Sequence, residues 1–203
     1  MAEAREKQAV IAGHFGLAAG VKSQEPAIPL WALMLATSWL DVVFIPLFFL
    51  GVETIEKAPD ATGPYGGSII HANYTHSLLG AALLSFVFGW FFSRRWGERA
   101  GIVLGAVSFS HWLLDLLVHR GDLPVLMGNV GHIPTLGFGL WRYPVVAGVI
   151  ELALVVGGSW LYWRAARAVA AGSGMSGRAD LSAALVFVFG IAALGADWAG
   201  FLA

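Results

Sequence analysis

A chain of 203 residues with 58% hydrophobic and only 12% charged side chains, and a mean hydropathy of +0.72, is too apolar for a soluble domain, in which about a quarter of the residues carry charge. Lys and Arg number 12 against 13 Asp and Glu, so no positive excess favours a nucleic-acid partner and none is expected. The absence of cysteine removes disulfides and thiolate ligands together, leaving any metal to imidazole and carboxylate.

Taken in chain order, Glu3 and Glu6 offset Arg5 and Lys7, so the N-terminus does not read as a secretory leader. The apolar piece from Ala9 to Val21 is too short to cross a bilayer and predicts a half-length or re-entrant helix, followed by a polar turn from Lys22 to Pro26. Five longer apolar segments follow. They run from about Ile28 to Gly51, Ser68 to Phe92, Gly101 to His119, Tyr143 to Trp163 and Leu181 to Leu202. The predicted architecture is therefore all-α: one integral membrane domain over 1–203, a transmembrane bundle of about five spans plus the short first helix. No internal repeat is visible, so an inverted-repeat transporter design has no support.

Loop charge predicts the orientation. One face collects Arg5, Lys7, Lys22, Arg94, Arg95, Arg99, Arg164, Arg167 and Arg178, and the other only Lys57, Arg120 and Arg142. The positive-inside rule makes the first face cytoplasmic. The two long loops of the other face, Val52 to Gly67 and Arg120 to Arg142, are rich in Gly and Pro and are expected to be compact, non-helical and able to roof a site. Trp31, Trp90, Trp96, Trp141 and Trp163 fall at segment ends, as in an interfacial belt, while Trp39 and Trp112 lie where they could wall a cavity.

The third long segment ends in Ser110-His111-Trp112-Leu113-Leu114-Asp115-Leu116-Leu117-Val118-His119. On a helix His111, Asp115 and His119 share one face. Such a stripe is costly in hydrocarbon unless it meets a partner, water or a metal. Counting a rise of about 1.5 Å per residue from the Lys/Arg-poor face puts Asp41 at ~15 Å, His111 at ~13 Å and both Glu151 and His76 at ~12 Å, with Asp197, Asp115 and His71 shallower. The ionisable groups of the five spans thus share one half of the membrane, which predicts that they converge. In His71-Ala72-Asn73-Tyr74-Thr75-His76-Ser77 the five-residue spacing cannot keep both histidines on one helical face, so His71 is expected in an entry loop and Asn73 or Thr75 at the N-cap. The helix dipole there would keep His76 neutral. His119 and Asp122 are expected near the surface and solvated, and His132 exposed.

The order Gly13-His14, Ser38-Trp39-Leu40-Asp41, His71-Ala72-Asn73-Tyr74-Thr75-His76-Ser77 and Ser110-His111-Trp112-Leu113-Leu114-Asp115 resembles the YdjM-type family of bacterial inner-membrane proteins. That family is described as metal-dependent hydrolases, with some relatives labelled permeases. The resemblance spans roughly residues 13–120. It implies a metal site built from His14, Asp41, His71, His76, His111 and Asp115. Two departures stand out. The family's Pro-Asp is Leu40-Asp41 here and runs on into an apolar stretch, leaving Asp41 deep, and its Arg-Gly after the first His is Ala72-Asn73, so an arginine suited to an anionic substrate is missing. Arg120 or Arg142 is a candidate substitute.

Together these readings predict a hydrolase of the cytoplasmic (inner) membrane that uses a divalent ion, with Zn²⁺ expected, in the outward half of the bilayer. Asp115 or Glu151 would be the catalytic base, and the substrate a lipid or lipid-linked ester or phosphoester. Outside the resemblance, Glu151 and Asp197 could instead orient a ligand histidine or pair with an arginine. The alternatives are a transporter or permease with an intramembrane His/Asp ion or proton site, and a metal that only staples helices. Association into a homo-oligomer is left open.

Overall fold

The computed structural model describes residues 11–172 and 174–199. The charged stretch Glu3–Lys7, the expected helix start at Ala9 and the expected end at Leu202 lie outside them. Among the described residues there are seven α-helices and one two-stranded sheet.

The short first helix is α1, Ala12–Gln24, and its 13 residues are too few to span. It is followed by α2, Leu30–Thr37, and α3, Trp39–Phe49. The expected continuous segment from Ile28 to Gly51 is thus broken at Ser38, where the two helices bend by 50°. Ser38 Oγ donates back to the Met34 carbonyl at 2.7 Å, a contact that competes with the helical ladder and favours bending. The break places Asp41 in the first turn of α3. A residue that the sequence leaves in mid-span is in this way returned to a helix end, where the dipole favours a carboxylate.

The first long loop contains β1, Thr54–Lys57, which pairs antiparallel with β2, Ser68–His71, in the register Thr54↔His71. The second span consequently begins later than its apolar pattern suggests. Its helix is α4, Leu78–Trp96, and the N-cap is Ser77, whose Oγ accepts from the Gly80 amide at 3.0 Å, not Asn73 or Thr75. The β-branched pair Ile69-Ile70 extends alongside Ile55 instead of entering the helix.

The remaining spans are α5, Glu98–Val118, α6, Pro144–Ala170, and α7, Ser176–Ala199. These three and α4 are long and apolar enough to cross a membrane, and the bent α2–α3 pair makes a fifth if it is one broken span. Exposed Phe86, Val87, Phe91, Ile102, Val149 and Leu185 on their outer faces fit contact with lipid. Near the Arg-rich end, Ala18, Ile28, Leu33, Phe88, Phe92, Leu104 and Val107 form an apolar core.

The closest helix crossing is that of α1 with α6. A Cβ built on Gly158 would lie 1.8 Å from the Gly16 carbonyl oxygen, and one on Gly16 would lie 2.4 Å from the Leu154 carbonyl. Only glycine lets these backbones touch. Because α1 is short, this crossing fixes His14. Gly158→Ala is expected to lower the thermal midpoint of the detergent-solubilised protein by an overpacking penalty of about 1–3 kcal/mol or more. An unchanged melting curve would show that α1 does not depend on the contact.

Candidate metal centre

Four atoms from two helices and one loop converge. His76 Nε2, just ahead of α4, and His111 Nε2, on α5, are 3.2 Å apart. Asp41 Oδ1 lies 3.5 Å from the first and 3.6 Å from the second. Asp115 Oδ2 lies 3.6 Å and 3.1 Å from the same two atoms. A tetrahedron with corners about 2.0–2.2 Å from its centre, the usual zinc–nitrogen and zinc–oxygen distances, has edges of about 3.3–3.6 Å. The five separations fall in or beside that range. His14 adds its Nε2 at 3.5 Å from Asp115 Oδ1, and its ring packs 4.2 Å from that of His111.

The outward-facing ring nitrogens decide which way the histidines present their lone pairs. His111 Nδ1 is 2.7 Å from the Thr37 carbonyl oxygen, which can only accept, so Nδ1 carries the hydrogen. That carbonyl is free because the α2–α3 break interrupts the ladder at Ser38. His76 Nδ1 is 2.8 Å from Thr75 Oγ1, which in turn donates to Glu53 Oε2 at 2.9 Å. Glu53 also accepts from the Tyr74 and Thr75 amides at 2.8 and 2.9 Å. The two amides and the threonine hydroxyl all donate to this fully buried carboxylate, so the threonine hydrogen is committed and His76 Nδ1 donates to Thr75 Oγ1. In the neutral rings both Nε2 atoms are therefore acceptors, facing each other and two carboxylates. Four converging acceptors repel unless a proton or a cation lies among them. Two trios, Asp41–His76–His111 and His14–His111–Asp115, could each hold a metal ion.

Five of the six residues that the resemblance implies are thus brought together: His14, Asp41, His76, His111 and Asp115. His71 is not. It ends β2 with its side chain 43% exposed and Nε2 3.1 Å from Glu56 Oε1 on the paired strand, because strand pairing turns it away from the bundle. His119 also departs from expectation. It is buried, with Nδ1 2.8 Å from Asp122 Oδ1 and its ring 4.6 Å from that of Trp141. The second long loop folds back over the end of α5 through Leu123–Leu136 pairing and the Gly139 amide on the His119 carbonyl. Trp141 is accordingly buried and is no part of an interfacial belt, whereas Trp31 and Trp90 are half exposed. His132 is exposed as expected. Trp112 Nε1 donates to the His76 carbonyl at 2.9 Å and so helps to set the histidine's height.

Of the two arginine candidates, Arg120 is engaged by other partners. Arg120 donates to the Gly66 carbonyl at 2.9 Å and to Asp60, binding the two long loops to each other. Arg142 lies exposed, 3.6 Å from the same Asp60. Glu151 and Asp197 are buried, and neither has an arginine partner among the described residues. Glu151 Oε2, Asp197 Oδ2 and the Tyr65 hydroxyl have no hydrogen-bond partner there. Burial, then the carboxylates of Glu151 and Asp197, push the Tyr65 phenol up, so it remains protonated beside them.

Burial works against the charge of both His119 and Asp122, but each holds the other charged. The Asp122 carboxylate raises His119 above its ordinary 6.5, and the imidazolium with the Ile70 amide lowers Asp122 below its ordinary 3.8. The His119 contribution to stability is present below 6.5 and lost as pH rises through the higher folded value; that of Asp122 is present above 3.8 and lost as pH falls through the lower one. Asp122→Asn is expected to lower the thermal midpoint between pH 5 and 6 by about 1–3 kcal/mol of stability and to remove this alkaline dependence. Parallel melting curves of the two proteins across pH would argue that the pair is not stabilising.

The sequence reading missed Glu53 and the Thr37 carbonyl. Glu53 stands in a loop 22 residues from Thr75, with no periodicity to tie them, and a backbone acceptor leaves no trace in the side-chain pattern. No family model, no curated protein and no solved structure matches the chain.

Proposed function

We propose that the protein is a metal-dependent hydrolase of the cytoplasmic membrane, of the kind the YdjM-type resemblance implies, and that its ion is zinc. The observation that carries this reading is the pair of Nε2 lone pairs meeting two carboxylates at tetrahedral-edge distances. Imidazole and carboxylate without thiolate suit Zn²⁺. A bound divalent ion would supply Lewis acidity toward an ester or phosphoester oxygen and toward water. Asp115, with its oxygens beside three histidines, is a ligand in this reading and not the proton acceptor. Glu151 and Asp197, each keeping an unpartnered oxygen, are the groups able to take a proton.

The substrate is lipid or lipid-linked. Asp41 is the open member of the centre, its side chain 23% exposed where those of His76, His111 and Asp115 are all but covered. Its helix neighbours Val42 and Ile45 are half exposed, which supports entry sideways from the bilayer. The transporter reading gains less support, since the apolar core at the Arg-rich end provides no polar continuation of the site. The test is turnover by the purified protein in detergent, assayed with a nitrophenyl ester, a nitrophenyl phosphodiester and a fluorescent phospholipid. Hydrolysis of at least one that stops with a chelator and returns with Zn²⁺ is expected. A protein that purifies without divalent metal and hydrolyses none would overturn the proposal.

A further inference from the structure

The two long loops at the Arg-poor end of the bundle are built from different kinds of residue. The first, Val52 to Gly67, carries Glu53, Glu56, Lys57 and Asp60, and among the described residues its one exposed large hydrophobic side chain is Val52. The second has no Asp, Glu, Lys or Arg from Leu123 to Trp141. It nevertheless leaves Met127, Val130, Ile133 and Phe138 exposed, Val130 by 67% and Phe138 by 75%. A cluster of such side chains, with no charge among them, marks a surface made for something other than water.

The patch continues into faces already turned to lipid. Backbone hydrogen bonds seat the loop on the start of α4: the Pro124 and Val125 carbonyls accept from the Leu78 and Leu79 amides at 2.9 and 3.1 Å, and the Gly128 amide donates to the Asn73 carbonyl at 2.8 Å. A Cβ on Gly128 would lie 3.6 Å from the Tyr74 ring. The loop thereby adjoins exposed Tyr74, Leu79 and Leu83, which lead along α4 to Phe86 and Val87. At its other end the Phe138 amide donates to the Leu116 carbonyl at 2.8 Å, beside exposed Leu113 and Leu117 of α5.

The backbone limits how deep the loop can lie. Non-helical chain with open amides and carbonyls is not tolerated facing hydrocarbon, and Gly131 to Thr135 are exposed together with the polar side chains of His132 and Thr135. The headgroup region meets both demands, offering water and polar headgroups to the backbone and the acyl boundary to the apolar side chains.

We propose that residues 127–138 rest in the headgroup region of the leaflet at the Arg-poor end, so that the partner of this surface is lipid. This depends on the membrane reading of the bundle and not on the metal. Because the same loop is bonded to Asn73, Leu78 and Leu79, on either side of His76, the membrane surface then supports the segment that supplies a ligand.

The chain has no cysteine, so one introduced cysteine carries one label. Val130→Cys and Ile133→Cys in the full chain are spin-labelled, reconstituted into vesicles of phosphatidylcholine and phosphatidylglycerol, and compared by collision with oxygen, which partitions into lipid, and with a water-soluble nickel chelate. Phe86→Cys on the outer face of α4 and Thr62→Cys in the first loop are the references. The ratio of oxygen to nickel collisions at 130 and 133 is expected to exceed that at 62 and to fall below that at 86. Values equal to those at 62 would overturn the proposal and leave the patch facing water, open to a protein partner. Values equal to those at 86 overturn the headgroup depth. Spin–spin broadening at 130 that disappears on dilution with unlabelled protein would assign the surface to a second copy instead. A label at 86 as open to nickel as that at 62 would overturn the membrane reading, and the proposal with it.

Discussion

His111→Ala is expected to deprive the protein of bound divalent metal, with affinity falling by more than the roughly 10–100-fold that follows loss of a group merely orienting a ligand. His111 Nε2 is within 3.6 Å of Asp41, His76 and Asp115, and the residue belongs to both trios. Its removal leaves two carboxylates with fewer neutralising partners and the Thr37 carbonyl without a donor. Elemental analysis after purification and competition with a chromophoric chelator measure the loss. Circular dichroism and gel filtration in detergent report whether the bundle survives. A His111→Ala protein that keeps the parent's metal content and affinity would mean that the convergence is only a packing device, worth about a kcal/mol as intramembrane hydrogen bonds usually are.

The second large effect is expected at Glu53, which touches none of the ligand atoms. Glu53→Ala removes the acceptor of three hydrogen bonds at once, leaving the Tyr74 and Thr75 amides and the Thr75 hydroxyl unsatisfied in a buried loop. Each orphaned group costs about 1–3 kcal/mol, so the loop ahead of α4 should lose its order. The freed hydroxyl can then turn toward His76 as a donor, allowing the other tautomer and withdrawing Nε2 as an acceptor. Metal affinity is expected to fall by about 10–100-fold. Thr75→Val separates the two effects: it keeps Glu53 on the amides, breaks only the tie to His76, and should lower metal affinity with a smaller loss of stability. Equal affinity in Thr75→Val and the parent protein would show that the relay does not set the histidine's tautomer.

Much of the bundle was legible because bilayer thickness imposes a length on apolar segments, and α4 to α7 obey it. The boundaries were less so. His71 read as part of an entry loop beside the ligands because an apolar run says nothing of strand pairing, and only the Thr54–Lys57 partner turns Ser68–His71 into β structure. His119 read as solvated because it ends a span, whereas the loop that returns over it through Leu123 and Leu136 buries it. Depth counting on isolated helices did bring Asp41, His76 and His111 to nearly one level, with Asp115 shallower in the same half, since rise per residue is a property of the backbone alone.

What the residues dictate unaided is local: segment length, the face on which His111 and Asp115 project together, and the absence of thiolate ligands. Tertiary structure decides everything that requires two distant pieces of chain. It breaks the first span at Ser38 and so frees the Thr37 carbonyl for His111. It carries the short α1 into the core on the Gly16–Gly158 contact, setting His14 beside Asp115. It sends Glu53 to hold Thr75 and His76. The reason is physical: helical pitch and burial follow from the next few residues, but which acceptor a buried N–H finds depends on whatever backbone or side chain packing delivers within about 3 Å.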